Sequence, residues 1–191
     1  MPRVQRFHEP GSYRHITARG NDRAAIFRDD TDRWHFLGVL ADVTRTCGWR
    51  CLGWCLLTNH YHLLVQERTE PVAGAMHLLH SRYVRAFNVR HARGGHVFGE
   101  RYRVTTVEDD AHLLMAIRYV ARNPLEAGLC SSPEDWPWSS YAQLVGATRA
   151  MSFLSRAHVL SLFDPSPGRA SELIRRFVES VPGTEVPGTS S

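Results

Sequence analysis

The sequence contains no lysine, so all 23 of its basic residues are arginine. With 19 acidic residues the formal net charge is only +4, and the pI is about 9.1. An excess this small does not by itself indicate a nucleic-acid partner, and codon bias in a GC-rich genome is a sufficient explanation for the missing lysine. Arginine nevertheless binds phosphate with a planar fork of donors and stacks on bases, so the surface suits DNA or RNA.

Long apolar segments are also absent. No run approaches the roughly 18 consecutive apolar residues that indicate a membrane-spanning helix. Residues 1–11 have no apolar core of the kind found in secretory signals. The sequence therefore predicts a cytoplasmic protein that does not contact a membrane.

The cysteines do not follow the paired C-x-x-C spacing that is typical of zinc sites. There are four of them: Cys47, Cys51, Cys55 and Cys130. The first three are predicted to lie in a strand, where a spacing of four does not gather sulfur atoms around one metal ion. We expect buried, reduced thiols.

Apolar residues at strand and helix spacing predict four strands and three helices in the first part of the chain. The strands are predicted at residues 13–18, 49–57, 60–66 and 102–107. The helices that follow the first, third and fourth strands are predicted to end at Gly48, Gly94 and Pro124. The order β-α-β-β-α-β with right-handed crossovers predicts an α+β fold, the ferredoxin-like split βαβ sheet, followed by an extra helix. In that fold the first and third strands are central, the sheet is antiparallel and the helices cover one face.

The last third of the chain differs in composition. A proline- and tryptophan-containing loop is followed by short helical segments, of which the clearest is predicted at residues 171–181. We expect a main domain over residues 1–130, a helical extension over residues 131–181 and a disordered tail over residues 182–191.

Two histidines stand out in the third predicted strand. His60 and His62 are two residues apart, so their side chains point to the same face while Tyr61 points to the other. Two imidazoles on a rigid strand form half of a divalent-metal site. Because the chain has 11 histidines, a chance pair is an alternative, and the motif needs a second group to be interpreted.

The last of the three helices carries a tyrosine on the side away from its apolar stripe. The stripe consists of Leu113, Leu114, Ile117 and Ala121. Tyr119 lies roughly opposite its middle, with Asn123 beside it at i+4. A tyrosine kept only for packing would normally lie within the stripe, so Tyr119 is a candidate nucleophile, and an exposed surface tyrosine is the alternative. The direction of Asn123 is open, because a residue before proline is displaced from helical geometry.

These groups together predict phosphoryl-transfer chemistry. A phenol with an ordinary pKa near 10 is a poor nucleophile at neutral pH. A divalent metal bound by His60 and His62, with Asn123 completing the coordination, would polarise a scissile phosphate. Attack by Tyr119 on DNA would leave a 5′-phosphotyrosine and a free 3′-OH. Rejoining would need no ATP, since the energy of the phosphodiester is kept.

Five stretches also carry a resemblance to a known family. They are HITARGNDRAAIF, TNHYHLLV, GERYRV, RYVARNPLEAGL and WPWSSY. In this order they resemble the single-tyrosine HUH transposases, and among these the REP-associated tyrosine transposases. The resemblance covers about residues 13–146, with no match beyond.

The resemblance implies roles for individual residues. His60 and His62 would be the ligands of Mg²⁺ or Mn²⁺, Tyr119 the nucleophile and Asn123 the third polar group near the metal. The substrate would be a single-stranded DNA hairpin flanked by a short guide sequence. Related insertion-sequence transposases have glutamine at the Asn123 position and act as dimers, so we expect either a monomer or a homodimer.

Other residues are expected to contact DNA around the site. The candidates for phosphate contacts are Arg101, Arg103, Arg118 and Arg122, with solvated surface arginine as the alternative. Trp136 and Trp138 have the chemistry to stack on unpaired bases, but packing under the C-terminal segment is favoured for both.

Three other functions stay open at this stage. A protein that binds DNA hairpins without cutting them would not require His60, His62, Tyr119 and Asn123 together. A metal-dependent hydrolase of RNA or of a small phosphoester would not depend on Tyr119. A structural ferredoxin-like protein would carry its histidines by chance.

Overall fold

The computed structural model describes residues 10–180, so the tail predicted at residues 182–191 lies outside the described residues. The strands are β1 (Tyr13–Arg19), β2 (Arg50–Leu56), β3 (His60–Gln66) and β4 (Arg103–Val107). The helices are α1 (Asp30–Thr46), α2 (Val72–Arg90), α3 (Asp110–Glu126), α4 (Tyr141–Leu144), α5 (Arg156–Ser161) and α6 (Pro167–Glu179). No helix within residues 10–180 has the length and apolar character needed to cross a bilayer.

The four strands form one antiparallel sheet in the order β2-β3-β1-β4. β1 and β2 run parallel with β3 between them, which is the split βαβ arrangement. This confirms the predicted α+β fold and the central position of the first and third strands. The two central strands are held by hydrogen bonds on both sides, so they form a rigid base for side chains.

The helices lie on both faces of the sheet, whereas the sequence predicted one covered face plus an extra helix of unspecified position. α1 and α2 cover the first face, where Tyr61 contacts Phe36 of α1 and His80 of α2. α3 crosses the second face, where its Ile117 and Ala121 pack near Leu64 of β3. The second face therefore carries both α3 and the side chains of His60 and His62.

Local sequence explains most of the helix ends. Asp29 and Asp109 cap α1 and α3, each accepting a hydrogen bond from the backbone N–H three residues later. Gly48 follows α1 in a left-handed conformation with φ of 64°, as a glycine after a helix commonly does. α2 ends at Arg90, before the predicted break at Gly94. Cys47 lies at the C-terminal cap of α1 and not in a strand, which corrects its predicted position.

The prediction that Pro124 ends the third helix was wrong. α3 continues through Pro124 to Glu126, and Asn123 keeps helical geometry. Proline removes only one backbone donor, and here it does so within the last turn. The turn is closed by hydrogen bonds from Ala127 N to Asn123 O and from Leu129 N to Pro124 O, at 3.0 and 2.9 Å. The direction of Asn123 is therefore set by the helix.

The C-terminal extension packs along the outer edge of β2. Leu56 N donates to Trp138 O at 2.8 Å, and Ser140 N donates to Trp54 O at 2.9 Å. Trp136 Nε1 donates to Leu56 O. Trp138 is only 7% exposed and contacts the Arg33 guanidinium, so both tryptophans are packing residues, as the sequence favoured. The division of the chain at residue 130 stays a prediction.

Candidate active site

His60 and His62 lie side by side on the face of β3 that α3 crosses. Their ring centroids are 5.2 Å apart. Tyr61 between them points to the opposite face and is fully buried. The strand alternation predicted from the sequence thus brings the two imidazoles together on a central strand.

The ring of His60 is held through its Nδ1 atom. Its Nδ1 lies 2.8 Å from Asn59 Oδ1, and Asn59 Nδ2 donates to Arg23 O. Since the Asn59 oxygen accepts, His60 Nδ1 carries the proton and Nε2 keeps its lone pair. The Asn123 side chain reaches from α3 to the neighbourhood of His60, close enough to raise the pKa of His60 against the effect of burial. The structure therefore joins Asn123 to the histidine pair.

The ring of His62 is more deeply buried, with 4% exposed. Its Nδ1 lies 3.0 Å from His15 Nε2 and 3.3 Å from Thr17 Oγ1. Its Nε2 is buried, and no group within residues 10–180 forms a hydrogen bond with it. A buried polar atom without a partner is uncommon and calls for an explanation.

Both histidines are held neutral by their surroundings. Burial lowers the pKa of His62 to about 3, with His15, His60 and Arg19 adding to the shift. Burial also lowers the pKa of His60, as does the Arg19 charge, while the nearby Asn123 side chain acts in the opposite direction. Metal ligands must be deprotonated, so neutral imidazoles are in the correct state to bind a cation.

The residues present fit a divalent metal. The free, buried Nε2 of His62 is the observation that supports this, because a coordinated ion would satisfy it. Asn123 brings an amide beside His60, and its oxygen is a donor of the kind that Mg²⁺ and Mn²⁺ accept. No group of three or more His, Cys, Asp or Glu side chains suited to a metal occurs in residues 10–180. The protein groups in residues 10–180 that could hold a metal here are therefore the two imidazoles and the amide oxygen of Asn123.

Tyr119 stands at the mouth of this site. Its side chain is 45% exposed, in contrast to the buried apolar stripe on the other side of α3. Its ring meets those of His15 and His62 edge-on, with centroids 5.6 and 5.4 Å apart. The predicted tyrosine, both predicted histidines and Asn123 thus come together within one chain.

His15 was not anticipated from the sequence. It lies on β1, where Thr17 pairs with His62 and Arg19 pairs with His60. The alternation of His15, Thr17 and Arg19 indicates one shared face, but linking that face to His62 requires the register between β1 and β3. Sequence alone does not supply this register.

A basic cleft adjoins the histidines. It has a volume of about 450 Å³, and its lining includes four arginines against two acidic residues: Arg19, Arg23, Arg101 and Arg103, with Asp22 and Glu100. Arg101 and Arg103, predicted to contact DNA, are therefore close to the site. Arg19 and Arg23, which had no predicted role, line the same cleft. The turn that lines this cleft requires glycine at position 20, since a Cβ on Gly20 would lie 2.1 Å from Ala24 O.

Arg118 and Arg122 are used differently. Arg118 is 7% exposed and donates to Phe177 O, to the Ser180 hydroxyl and to Ser180 O. Arg122 donates to Val178 O at 2.7 Å. Both guanidinium groups therefore satisfy carbonyl groups at the C-terminal end of α6. The expectation that they contact DNA phosphates is not kept for these two residues.

The four cysteines are free thiols. Cys47, Cys51 and Cys55 are buried, as expected, while Cys130 is partly exposed. Burial raises the pKa of Cys51 to about 12, so this thiol stays protonated.

Comparison with known proteins gives one family and a shared fold. The family model described as "Transposase IS200 like" matches residues 10–123, a range that contains the histidines, Tyr119 and Asn123. A solved REP-associated tyrosine transposase bound to a REP hairpin has a TM-score of 0.66 and 16% identity, over 76% of this chain and 86% of that one. A crystal structure described as a transposase from Deinococcus radiodurans R1 has a TM-score of 0.43 and 16% identity, over 60% and 92% of the two chains. No curated protein matches the chain.

Proposed function

Since the chain belongs to the family of IS200-like transposases, we propose that it is a metal-dependent endonuclease and transposase of single-stranded DNA. It cleaves beside hairpins of the REP type and rejoins the strand through a 5′-phosphotyrosine on Tyr119. The observation that carries this proposal is the contact between the exposed Tyr119 ring and the buried His62 ring, with centroids 5.4 Å apart. A nucleophile and a candidate metal ligand in contact are what phosphoryl transfer needs.

The reaction balances with the groups at hand. The Tyr119 hydroxyl oxygen forms a bond to the phosphorus, and the bond from phosphorus to the 3′ oxygen breaks. The phenolic proton is lost and the 3′ oxygen gains one, so the products are a 5′-phosphotyrosine and a 3′-OH. Rejoining is the same exchange in reverse with an incoming 3′-OH. The contacts of Tyr119 with two imidazole rings limit its motion, which favours attack by reducing the entropy lost in the transition state.

His60, His62 and Asn123 are the proposed ligands of Mg²⁺ or Mn²⁺. When bound, the cation supplies Lewis-acid polarisation of the scissile phosphate and offsets charge in the transition state. Both histidines are neutral, and the Nδ1 atom of each is hydrogen-bonded to a neighbour. That arrangement leaves the Nε2 atoms for coordination.

The DNA backbone is proposed to follow the basic cleft beside the histidines. Arg101 and Arg103, together with Arg19 and Arg23, line this cleft and suit phosphate groups. The shared fold with a transposase whose structure holds a REP hairpin supports a hairpin as the recognised element. All proposed catalytic groups belong to one chain, so a monomer contains a complete site, and a homodimer stays the alternative.

The test is covalent capture of DNA on a denaturing gel. Labelled single-stranded hairpins from the repeats of the source genome are incubated with Mn²⁺ or Mg²⁺ and the wild type, Tyr119→Phe or Tyr13→Phe. Tyr13 is a matched control, because it is a partly exposed tyrosine on β1 outside the site. We expect a protein-linked DNA band from the wild type and Tyr13→Phe only, with cleavage by Tyr119→Phe reduced roughly 10³-fold or more.

Other outcomes would redirect the proposal. Full cleavage by Tyr119→Phe would contradict the tyrosine mechanism and favour a metal-dependent hydrolase. Hairpin binding without a covalent band, across several hairpins and both metals, would indicate a recognition protein that does not cut.

A further inference from the structure

His15 contacts both His62 and Tyr119, and beyond limiting the motion of Tyr119 it has no role in the reaction described above. We infer that His15 is a positioning residue, which fixes the tautomer and the ring orientation of His62 so that Nε2 of His62 offers its lone pair to the site. The inference rests on the proposed function, in which His62 binds the metal. His15 itself is not a ligand in this arrangement, since its Nε2 is directed at His62.

The contact between the two rings requires a proton on one of them. His15 Nε2 and His62 Nδ1 are 3.0 Å apart, a hydrogen-bond distance. Either His62 Nδ1–H donates to His15, or His15 Nε2–H donates to His62. The two arrangements leave different atoms at the buried end of the His62 ring.

The surroundings of His62 favour the first arrangement. If His15 donated, the proton of neutral His62 would be on Nε2, which has no acceptor within residues 10–180. A buried ring nitrogen without a partner is unfavourable as an N–H and as a lone pair. Only the lone pair, which Nε2 presents if His62 donates from Nδ1, can be satisfied by a bound cation. Thr17 Oγ1, at 3.3 Å from the same Nδ1, is a second acceptor on the same side.

His15 is better placed than Thr17 to control the ring. It is the closer partner, and its ring stacks on that of His62 with centroids 5.2 Å apart and an angle of 19° between planes. The two residues stand on the paired central strands β1 and β3, so their separation is set by the backbone ladder. Stacking fixes the plane of the His62 ring, and the hydrogen bond fixes its tautomer.

The expected consequence is a loss of metal affinity without a loss of ligands. Partners of metal-ligating histidines typically change metal affinity or activity 10–100-fold when removed. We expect His15→Leu to weaken Mn²⁺ binding by about that factor. His15→Gln retains an amide oxygen as an acceptor and should recover much of it.

The experiment separates the tautomer from metal binding. Long-range ¹H–¹⁵N spectra of metal-free, ¹⁵N-histidine-labelled protein report which ring nitrogen of His62 is protonated, with His62→Asn used for assignment. Mn²⁺ affinity is then measured by electron paramagnetic resonance. The variants are His15→Leu, His15→Gln and Thr17→Val, with thermal unfolding to show that each is folded.

The inference is supported if His62 is protonated on Nδ1 in the wild type and in His15→Gln, and on a mixture of nitrogens in His15→Leu. Mn²⁺ affinity should be lowest in His15→Leu and largely recovered in His15→Gln. Protonation of wild-type His62 on Nε2 would overturn it, whether or not the variants fold. A larger loss in Thr17→Val than in His15→Leu would also overturn it, because the role would then belong to Thr17.

The metal role of the proposed function is tested separately. A wild type that binds no Mn²⁺ but is protonated on His62 Nδ1 would contradict the metal ligands and still support the hydrogen bond from His62 to His15. A tautomer that changes in His15→Leu without any change in Mn²⁺ affinity would overturn the positioning role while the metal site stands.

Discussion

Each face of the sheet holds a histidine that is at least partly buried, and the two are used in opposite ways. His80 of α2 lies on the face covered by α1 and α2, where its Nε2 is 2.6 Å from the Tyr61 hydroxyl and its ring stacks on Phe98 at 4.0 Å. His62 lies on the other face with its Nε2 free of hydrogen bonds from residues 10–180. Burial lowers the pKa of both, to about 4 for His80 and about 3 for His62.

A low histidine pKa therefore does not identify a functional site. Desolvation lowers the pKa wherever an imidazole is buried, in a core as in an active site. The distinguishing feature is the ring nitrogen that is not paired with a neighbour. Two arginines differ in the same way. Arg118 is bonded to the end of α6, while Arg103 faces the open cleft.

The largest expected effect is the loss of cleavage when His62 is removed, with His80 as the matched control. His62→Ala should lower Mn²⁺-dependent cleavage more than about 100-fold, since losing a ligand exceeds the loss of its outer partner. His80→Ala should keep cleavage per folded molecule, because its ring lies on the opposite face. The assay is hairpin cleavage, with circular dichroism to normalise the folded fraction. If His62→Ala cleaves as well as the wild type and still does so in EDTA, the proposed metal role of His62 is contradicted.

The pH dependence of stability tests His80, which lies on the face covered by α1 and α2. The pKa of His80 is lowered to about 4 in the folded state, so above pH 6.5 its contribution to stability is fully present. As pH falls from 6.5 toward 4, the unfolded chain binds the proton first and folding weakens. Between pH 6.5 and 5 this amounts to roughly 2 kcal/mol.

Urea unfolding at pH 7.5 and pH 5 measures this effect in the wild type and in His80→Gln. Glutamine can still hydrogen-bond to Tyr61 but does not titrate, so the variant should lose less stability on acidification. An identical pH dependence in the two proteins would mean that His80 is not the titrating group.

The two arginines differ in their predicted contribution to stability. Arg118→Ala leaves the Phe177 and Ser180 carbonyls at the end of α6 without their donors, and should lower the free energy of unfolding by about 1–3 kcal/mol. Arg103→Ala is the control. It is exposed, with a salt bridge to Glu100 at 3.8 Å, and should change stability by less than about 0.5 kcal/mol. Equal losses in a denaturant titration would contradict the assignment of Arg118 to α6.

The smallest expected effect is on DNA binding by the cleft. Arg101→Gln and Arg103→Gln should each weaken hairpin binding several-fold and reduce the slope of log K against log salt by about 1. Arg45→Gln is a control, because Arg45 is exposed on α1 and pairs with Asp42. Fluorescence anisotropy at several salt concentrations measures both quantities. A salt slope unchanged in both cleft variants would place the DNA backbone elsewhere.

Much of the fold and part of the candidate site were predictable from local sequence. Strand alternation placed His60 and His62 on one face, and helical spacing placed Tyr119 away from the stripe containing Ile117. Each inference uses only residues close together in the chain, for which backbone geometry is regular. The prediction at Pro124 was wrong because this proline lies in the last turn of α3, where it removes only one backbone donor.

Local spacing along the chain was sufficient to predict the order of strands and helices, the split βαβ sheet and the pairing of His60 with His62. It did not predict that His15 contacts His62, that Asn123 reaches His60, or that Arg118 bonds to the end of α6 while Arg103 lines the cleft. These contacts depend on the register of β1 against β3 and on where α3 and α6 pack. Such distances join residues far apart in the chain, and no local spacing specifies them.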